Sequence, residues 1–513
     1  MRGRSFFRAW IAPRVKADFD IAVVGSGFAG SLIAMIARRL GRSVVMIERG
    51  RHPRFAIGES STPLANLLLD ELAQRYDLPG VRPLCKWGAW QESVAHLGCG
   101  LKRGFTFLHH APGQPFADEL LVAASPRDAI ADTHWYRPDF DQHLATQAQQ
   151  MGVEFRDQTE LSIVARDDAG FTLGDQRGST IHAGFVIDAS GPRGFLHRAL
   201  GLPEREFAGF PKTQALFAHF SGVEKWEARH GASAHAPYPP DDAAVHHVFD
   251  GGWIWVLRFN NGLTSAGAAV TDEVAAELRL HEGAAAWTRL LERLPSVREL
   301  FVDAAPVTPF THQPRVAFRA SAVAGRNWAM LPSAAGVVDP LLSTGFPLTL
   351  LGVERLAQII EDGGLLDLPT DYERLTFSEL DTTAALVAAL YANMRESEIF
   401  SALTLLYFAA ASFSESARRL HRRHLAPSFL LCEDVRFGPA LRRCCEDALN
   451  RRTPRAELLA RIYAAIEPFD VAGLGRRERH PWYPALAEDF LDAAHKLGAS
   501  REDAARALAA AGF

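Results

Sequence analysis

Two tryptophans stand two residues apart, Trp253 and Trp255, in the apolar run GGWIWVLRF (251–259). On a strand that spacing puts both indoles on one face, where they form a broad rigid wall. Such a wall either fills a core or keeps two reactive partners apart. The second chemical candidate is an amine. The chain holds six lysines against 49 arginines, so a lysine among apolar residues marks a place where an amine is wanted, because a guanidinium stays protonated. Lys86 in PLCKWGAW fits that description, with a seam pairing to Glu92 as the plainer alternative. Lys102 in GLKRGF is the second candidate, with Arg103 beside it. The third is the turn PLLSTG (340–345) ahead of an apolar helix. Successive amides there, at Ser343, Thr344 and Gly345, can nest an anion.

These groups need elements to hold them. An apolar strand from Ile21 to Val24 runs into Gly25-Ser26-Gly27-Phe28-Ala29-Gly30, then a helix, then a strand from Ser43 that ends at Glu48. Gly25 allows the tight turn, Gly27 lets backbone approach a pyrophosphate, and Gly30 lets helix and strand pack closely. Glu48 suits a ribose diol and argues against a 2′-phosphate, which leaves FAD or NAD. Further pieces of such a domain are scattered: GESSTP (58–63), the return HWYRPDFDQHLATQAQQMGVEF (134–155), FVIDASGPRG (185–194), and a strand–loop–helix over 328–360. The domain is therefore interrupted by insertions. From about 361 helical periodicity takes over, and Tyr391, Tyr407 and Phe408 sit in stretches that either line a pocket or simply pack.

With these motifs in place the chain resembles the FAD-dependent aromatic-hydroxylase and geranylgeranyl-reductase superfamily, and within it the flavin-dependent halogenases. The resemblance covers residues 19–360 and rests on the GxGxxG start, Gly58-Glu59-Ser60, Arg137-x-x-Phe140-Asp141, Asp188-Ala189-Ser190-Gly191 and Asp339-Pro340-Leu341-Leu342-Ser343-Thr344-Gly345. It implies FAD held by Gly25, Gly27, Gly30, Glu48, Glu59, Ser60, Arg137, Asp188, Gly191, Ser333 and Asp339. It implies halide held at Ser343, Thr344 and Gly345, with Lys86 as the essential lysine and Trp253 and Trp255 as the partition. The implied reaction consumes FADH2, O2 and chloride or bromide: halide attacks a C4a-hydroperoxyflavin, and the lysine passes electrophilic halogen to an electron-rich ring. A separate flavin reductase is the implied partner. Three departures matter. Arg258 replaces the proline that ends the family's W-x-W-x-I-P signature. Ser333 stands where many relatives have Gly-Asp. Leu342 replaces the glutamate of the tryptophan-specific enzymes, which points to phenol- or pyrrole-type substrates, free or carrier-bound.

The expected fold is α/β (α+β): an interrupted Rossmann-like FAD domain (18–84, 130–202, 320–360), an inserted antiparallel-sheet substrate domain (85–129, 203–319) and a helical region (361–513). Residues 1–17 form a basic extension, either unstructured or resting on a membrane surface. A net charge of −5 gives no reason to expect a nucleic-acid partner, and 48% hydrophobic with 22% charged residues is ordinary for a soluble protein. Five sparse cysteines fit a reduced, cytoplasmic protein, and no metal-ligand spacing occurs. A flavin monooxygenase or reductase on the same fold is the open alternative, and a non-catalytic flavin-binding accessory protein is the third reading.

Overall fold

The computed structural model describes residues 17–231, 233–365 and 370–513. The expectation for the basic extension therefore lies outside the described residues, apart from Ala17.

Two large sheets organise the molecule. The first has the strand order Ala324–Gly325, Trp328–Met330, Thr180–Asp188, Phe19–Val24, Val44–Ile47, Glu154–Arg156, with a hairpin (Leu161–Asp167, Gly170–Asp175) added to its flank. Its central pairs are parallel, with Val24 level with both Ile47 and Asp188. The strand centres, 21–24, 44–47 and 185–187, are apolar and buried, as a parallel sheet covered on both faces requires. Three separated parts of the chain build this sheet.

The second sheet has nine strands. Its centre runs Thr213–Ser221, Thr264–Thr271, the tryptophan strand Gly252–Arg258, Ala244–Phe249, Gly104–His110, Phe116–Ala123. It differs from a purely antiparallel insert in two places. Ala244–Phe249 pairs parallel with Gly104–His110, and Trp482–Tyr483 adds to Phe116–Ala123 in parallel. The C-terminal third is thus not wholly helical: one short strand of it completes this sheet.

Alternation along the tryptophan strand separates two cores. Trp253, Trp255 and Leu257 face the core shared with the first sheet. Ile254 and Val256 face a smaller core under the helices of residues 272–301. Gly267 is needed on the neighbouring strand. A Cβ there would lie 2.3 Å from Trp255 Cζ2 and 2.4 Å from Phe217 Cβ, so only glycine lets the indole lie flat against the sheet.

A two-stranded ribbon, Cys99–Lys102 with Asp132–Trp135, joins the two bodies. It is stitched to the end of the tryptophan strand by Asn260, whose N–H donates to Cys99 O at 2.7 Å while its Oδ1 accepts from Cys99 N at 3.0 Å. Helix Ser397–Arg419 is apolar through its middle, with charged residues at both ends, and among the described residues is the one helix long and apolar enough to cross a membrane. Of its most apolar stretch 72% is buried inside the protein, so it serves as the core helix of the C-terminal third.

Candidate active site

The glycine-rich turn opens on a cavity of about 690 Å³ at the C-terminal ends of the parallel strands, walled by Val24, Gly25, Glu48, Arg54, Phe55 and Ser190 among others. This is where an open α/β sheet takes a ligand. Gly25 has φ +102° and a Cβ there would meet Ala189 O at 2.6 Å. A Cβ on Gly30 would meet Gly25 O at 1.9 Å, so both glycines are sterically required. Gly27 caps helix Phe28–Arg39 without a side-chain hydrogen bond, which leaves the first-turn amides to a ligand. Glu48 accepts from Ser26 N (3.1 Å), Ser26 Oγ (3.0 Å), Gly50 N (2.9 Å) and Arg54 (3.0 Å). Burial would raise its pKa, but Arg54 and the two amides outweigh burial and hold it below the ordinary carboxylate value. A Cβ on Gly191 or Gly345 would meet nothing within 4 Å, so the backbone is open to a large flat ligand at both points. These features fit FAD.

Asp188 and Ser333 are both expected to hold the cofactor. The Asp188 carboxylate is spent on the chain itself: Ser190 N and Oγ donate to Oδ1 at 2.8 and 2.5 Å, and Leu196 N to Oδ2 at 2.6 Å. It folds the turn that lines the cavity. Ser333 lies half-buried in the single helical turn Pro332–Ala335. Arg137 grips Asp141 through Nε and Nη2 (2.9 and 2.8 Å) and donates to Gly58 O at 2.7 Å. It thereby clamps the GESS segment against the glycine-rich turn. Glu59 is buried, with Oε1 2.8 Å from His219 Nε2.

Of the two lysines, Lys102 and not Lys86 is bonded to the GESS segment. Lys86 is half-buried at a seam, where Nζ donates to Ala511 O at 2.7 Å. Lys102 is wholly buried; its Nζ donates to Ser60 Oγ at 2.8 Å and Ser61 O at 2.5 Å, and sits 3.8 Å from the centre of the Phe105 ring. Burial lowers its pKa, against the pull of Asp132 opposite it on the ribbon. The sequence signal was present but weak: Lys102 lies two residues before a strand, Gly104–His110, whose seven residues are all buried.

Phe105 also walls an apolar cavity of about 140 Å³, together with Thr62, Pro347, Tyr407, Phe408 and Leu508. From there aromatic rings lead to the wall: Phe105 and Phe107 stack on His246, and His246 stacks on Trp253 at 5.2 Å. Burial holds His246 near 3 and His109 near 4, so both rings are neutral at working pH.

The wall is tied to the anion turn. Trp253 Nε1 donates to Asp339 Oδ1 and contacts Tyr391 Oη, both at 3.2 Å, while Tyr391 Oη donates to Asp339 Oδ2 at 2.9 Å. Burial pushes Asp339 up to about 6 despite these donors. The Asp339 carboxylate therefore ties the tryptophan strand to the anion turn. Just beyond it, Leu342 and Ser343 both have left-handed φ, 65° and 55°. That costly geometry in consecutive non-glycine residues turns the chain sharply into helix Gly345–Glu361. Tyr407 Oη donates to Leu342 O at 3.0 Å and braces the turn. Thr344 is buried and Gly345 exposed, at the first turn of a helix whose amides lack intrahelical partners. Arg258, in place of the proline, closes the tryptophan strand by donating to Asp241 Oδ1 (2.6 Å), Val223 O (2.8 Å) and Glu224 O.

Known proteins agree with this assembly. The chain is 28% identical over 487 residues to monodechloroaminopyrrolnitrin halogenase PrnC of Pseudomonas fluorescens, covering 88% of this chain and 85% of that one. It is 28% identical over 380 residues to tetracycline 7-halogenase of Kitasatospora aureofaciens, covering 68% of each. The crystal structure of halogenase PltM with phloroglucinol and FAD shares the fold at TM-score 0.82 and 24% identity, over 91% of this chain and 99% of that one. The tryptophan halogenase family model matches residues 133–402, more than half of the chain. The chain belongs to the tryptophan halogenase family and is a flavin-dependent halogenating enzyme.

Proposed function

We propose that this enzyme halogenates an electron-rich aromatic ring of the phenol or pyrrole type, with Lys102 as the lysine that delivers halogen. Reduced FAD, when bound, supplies with O2 the oxidising power that halide alone lacks. Gly25, Gly27, Gly30, Glu48 and Gly191 would hold it, with Arg137, Glu59 and Ser60 fixing the segment beside it. The amides of Thr344 and Gly345 are placed to bind halide, whereas the Ser343 amide, also expected there, donates to Pro340 O at 3.1 Å. Trp253 and Trp255 keep the ring in the apolar cavity, away from the flavin side, so that only a small oxidised halogen species crosses. Lys102 lies at that crossing.

The observation that carries the reading is the placement of Lys102. Its ammonium is hydrogen-bonded to the GESS segment on one side and lies over Phe105, a wall of the apolar cavity, on the other. The substrate class follows from the turn. Leu342 supplies no base, and the nearby Asp339 carboxylate is engaged by Trp253 and Tyr391. A ring that loses its proton unaided must be activated by its own hydroxyl or N–H. The sequence carries no second nucleotide fingerprint, so a separate reductase is the proposed electron source.

The test supplies chemically reduced FAD, O2 and bromide with phloroglucinol or free tryptophan as substrate. Phloroglucinol is expected to be brominated and tryptophan not. Lys102→Met should abolish aromatic bromination, while Lys86→Met should retain most of it. Loss with Lys86→Met and retention with Lys102→Met would reverse the assignment of the lysine. An oxygenated product without halogen would favour the monooxygenase reading.

A further inference from the structure

Lys102 faces Asp132 directly across the ribbon, and directly opposed residues have Cβ atoms about 4.5–5.5 Å apart. Both side chains are buried. A lone carboxylate in such a place would be prohibitively expensive, yet Asp132 has few partners. Its Oδ1 accepts from Asn66 Nδ2 at 2.8 Å, and its Oδ2 is buried with no hydrogen-bond partner. Asn66 also donates to Ser61 Oγ at 3.0 Å, and Ser61 O accepts from Lys102. Amine and carboxylate are thus joined by one short network through helix Pro63–Arg75 as well as by cross-strand proximity.

The other charged groups near the pair are few. Lys102 faces His134 and His246, which burial keeps neutral. Asp132 faces Glu415 and Arg419 of helix Ser397–Arg419, whose opposite charges largely offset, and Lys86 lies farther along the same seam.

We infer that Asp132 is the positioning residue for Lys102: its carboxylate keeps the lysine an ammonium and aims it. The reading rests on Lys102 being the delivering lysine. The donor count agrees with it. Two N–H groups are taken by Ser60 Oγ and Ser61 O, which leaves the third on the side of Phe105, where Nζ lies 3.8 Å from the ring centre. An ammonium has that third donor to hold the oxidised halogen species. Burial pushes the lysine down and the aspartate up, and the charge of each favours the charged form of the other.

The six lysines make this measurable in the folded enzyme without turnover. Protein grown on lysine carrying ¹³C at Cε gives few resonances, and the Lys102 signal is the one lost in Lys102→Met. Its midpoint in a pH titration should lie above 7 in the wild type and fall by roughly 1–2 units in Asp132→Asn, since an anion next to a cation shifts pKa by that order. The basic limb of the kcat/KM profile should move down by the same amount, and Asp132→Glu should restore both. A wild-type midpoint below pH 6 overturns the inference without any variant. So does a midpoint and profile unchanged in folded Asp132→Asn, or movement of the acid limb alone. If Lys102→Met still brominates phloroglucinol, the lysine assignment itself fails. If Lys102→Met is inactive while Asp132→Asn matches the wild type, only the role of Asp132 falls.

Discussion

Gly267→Ala tests the partition without touching a tryptophan. The added methyl would sit 2.3 Å from Trp255 Cζ2, 2.6 Å from Cη2 and 2.4 Å from Phe217 Cβ. Carbon atoms in contact prefer about 3.5–4.0 Å, so something must move by about 1.2 Å or more. Phe217 Cβ is fixed to the backbone of a strand paired on both sides. The indole of Trp255 is the freer group, and its hydrogen bond to Ser265 Oγ at 3.2 Å is lost when it swings away. Overpacking of this size costs about 1–3 kcal/mol, not enough to unfold a core this large. The wall, however, is breached. In a single turnover with reduced FAD, O2, bromide, monochlorodimedone as trap and phloroglucinol as substrate, total oxidised bromide should stay near the wild-type level. Its division should shift several-fold toward the trap. A variant destabilised as expected that divides bromide as the wild type does would refute the reasoning that Trp255 is a barrier. A variant with unchanged stability would refute the steric argument beneath it.

Two further outcomes follow from the anchors of the wall and its strand. Burial raises Asp339 from 3.8 to about 6, so the folded protein binds this proton more tightly than the unfolded chain. Its stabilising contribution is full below about pH 4 and lost as pH rises through about 6, a difference of about 3 kcal/mol by pH 8. Asp339→Asn should flatten the fall in urea midpoint between pH 5 and pH 8; an equal fall in both proteins would show that Asp339 is not strained by burial. Arg258→Pro, which restores the usual family residue, should destabilise by about 3 kcal/mol because it strands the buried Asp241 carboxylate. A thermal midpoint equal to the wild type would show the clamp to be idle.

The dinucleotide domain was legible because its chemistry is local. The glycine spacing, the strand before it and Glu48 after the next strand lie within thirty residues of one another, and each is dictated by its neighbours. The shared face of Trp253 and Trp255 followed from strand period alone. What stayed hidden depends on distant partners. Lys86 and Lys102 look alike in sequence; only the ribbon to Asp132 and the bond to Ser60 separate them. The carboxylates of Asp188 and Asp339 have partners, Leu196 N and Tyr391 Oη, that nothing near them in sequence announces. Arg258 looked like a defect in a motif until Asp241 and the carbonyls of 223 and 224 appeared around it.

The parallel pairing of Ala244–Phe249 with Gly104–His110 has a consequence for how the enzyme is made. The tryptophan strand first forms local hairpins with its flanking strands, Ala244–Phe249 and Thr264–Thr271. The strand on the far side of that hairpin set belongs to a segment synthesised about 140 residues earlier, and joining them closes a long loop at an entropic cost that local contacts do not repay. The face that carries Trp253 and Trp255 is covered by residues from the first sheet and the C-terminal helices, which lie still farther away in the chain. Burial of the partition therefore depends on contacts between segments far apart in the chain, and a chain that lacks them exposes an aromatic strand of the kind that aggregates.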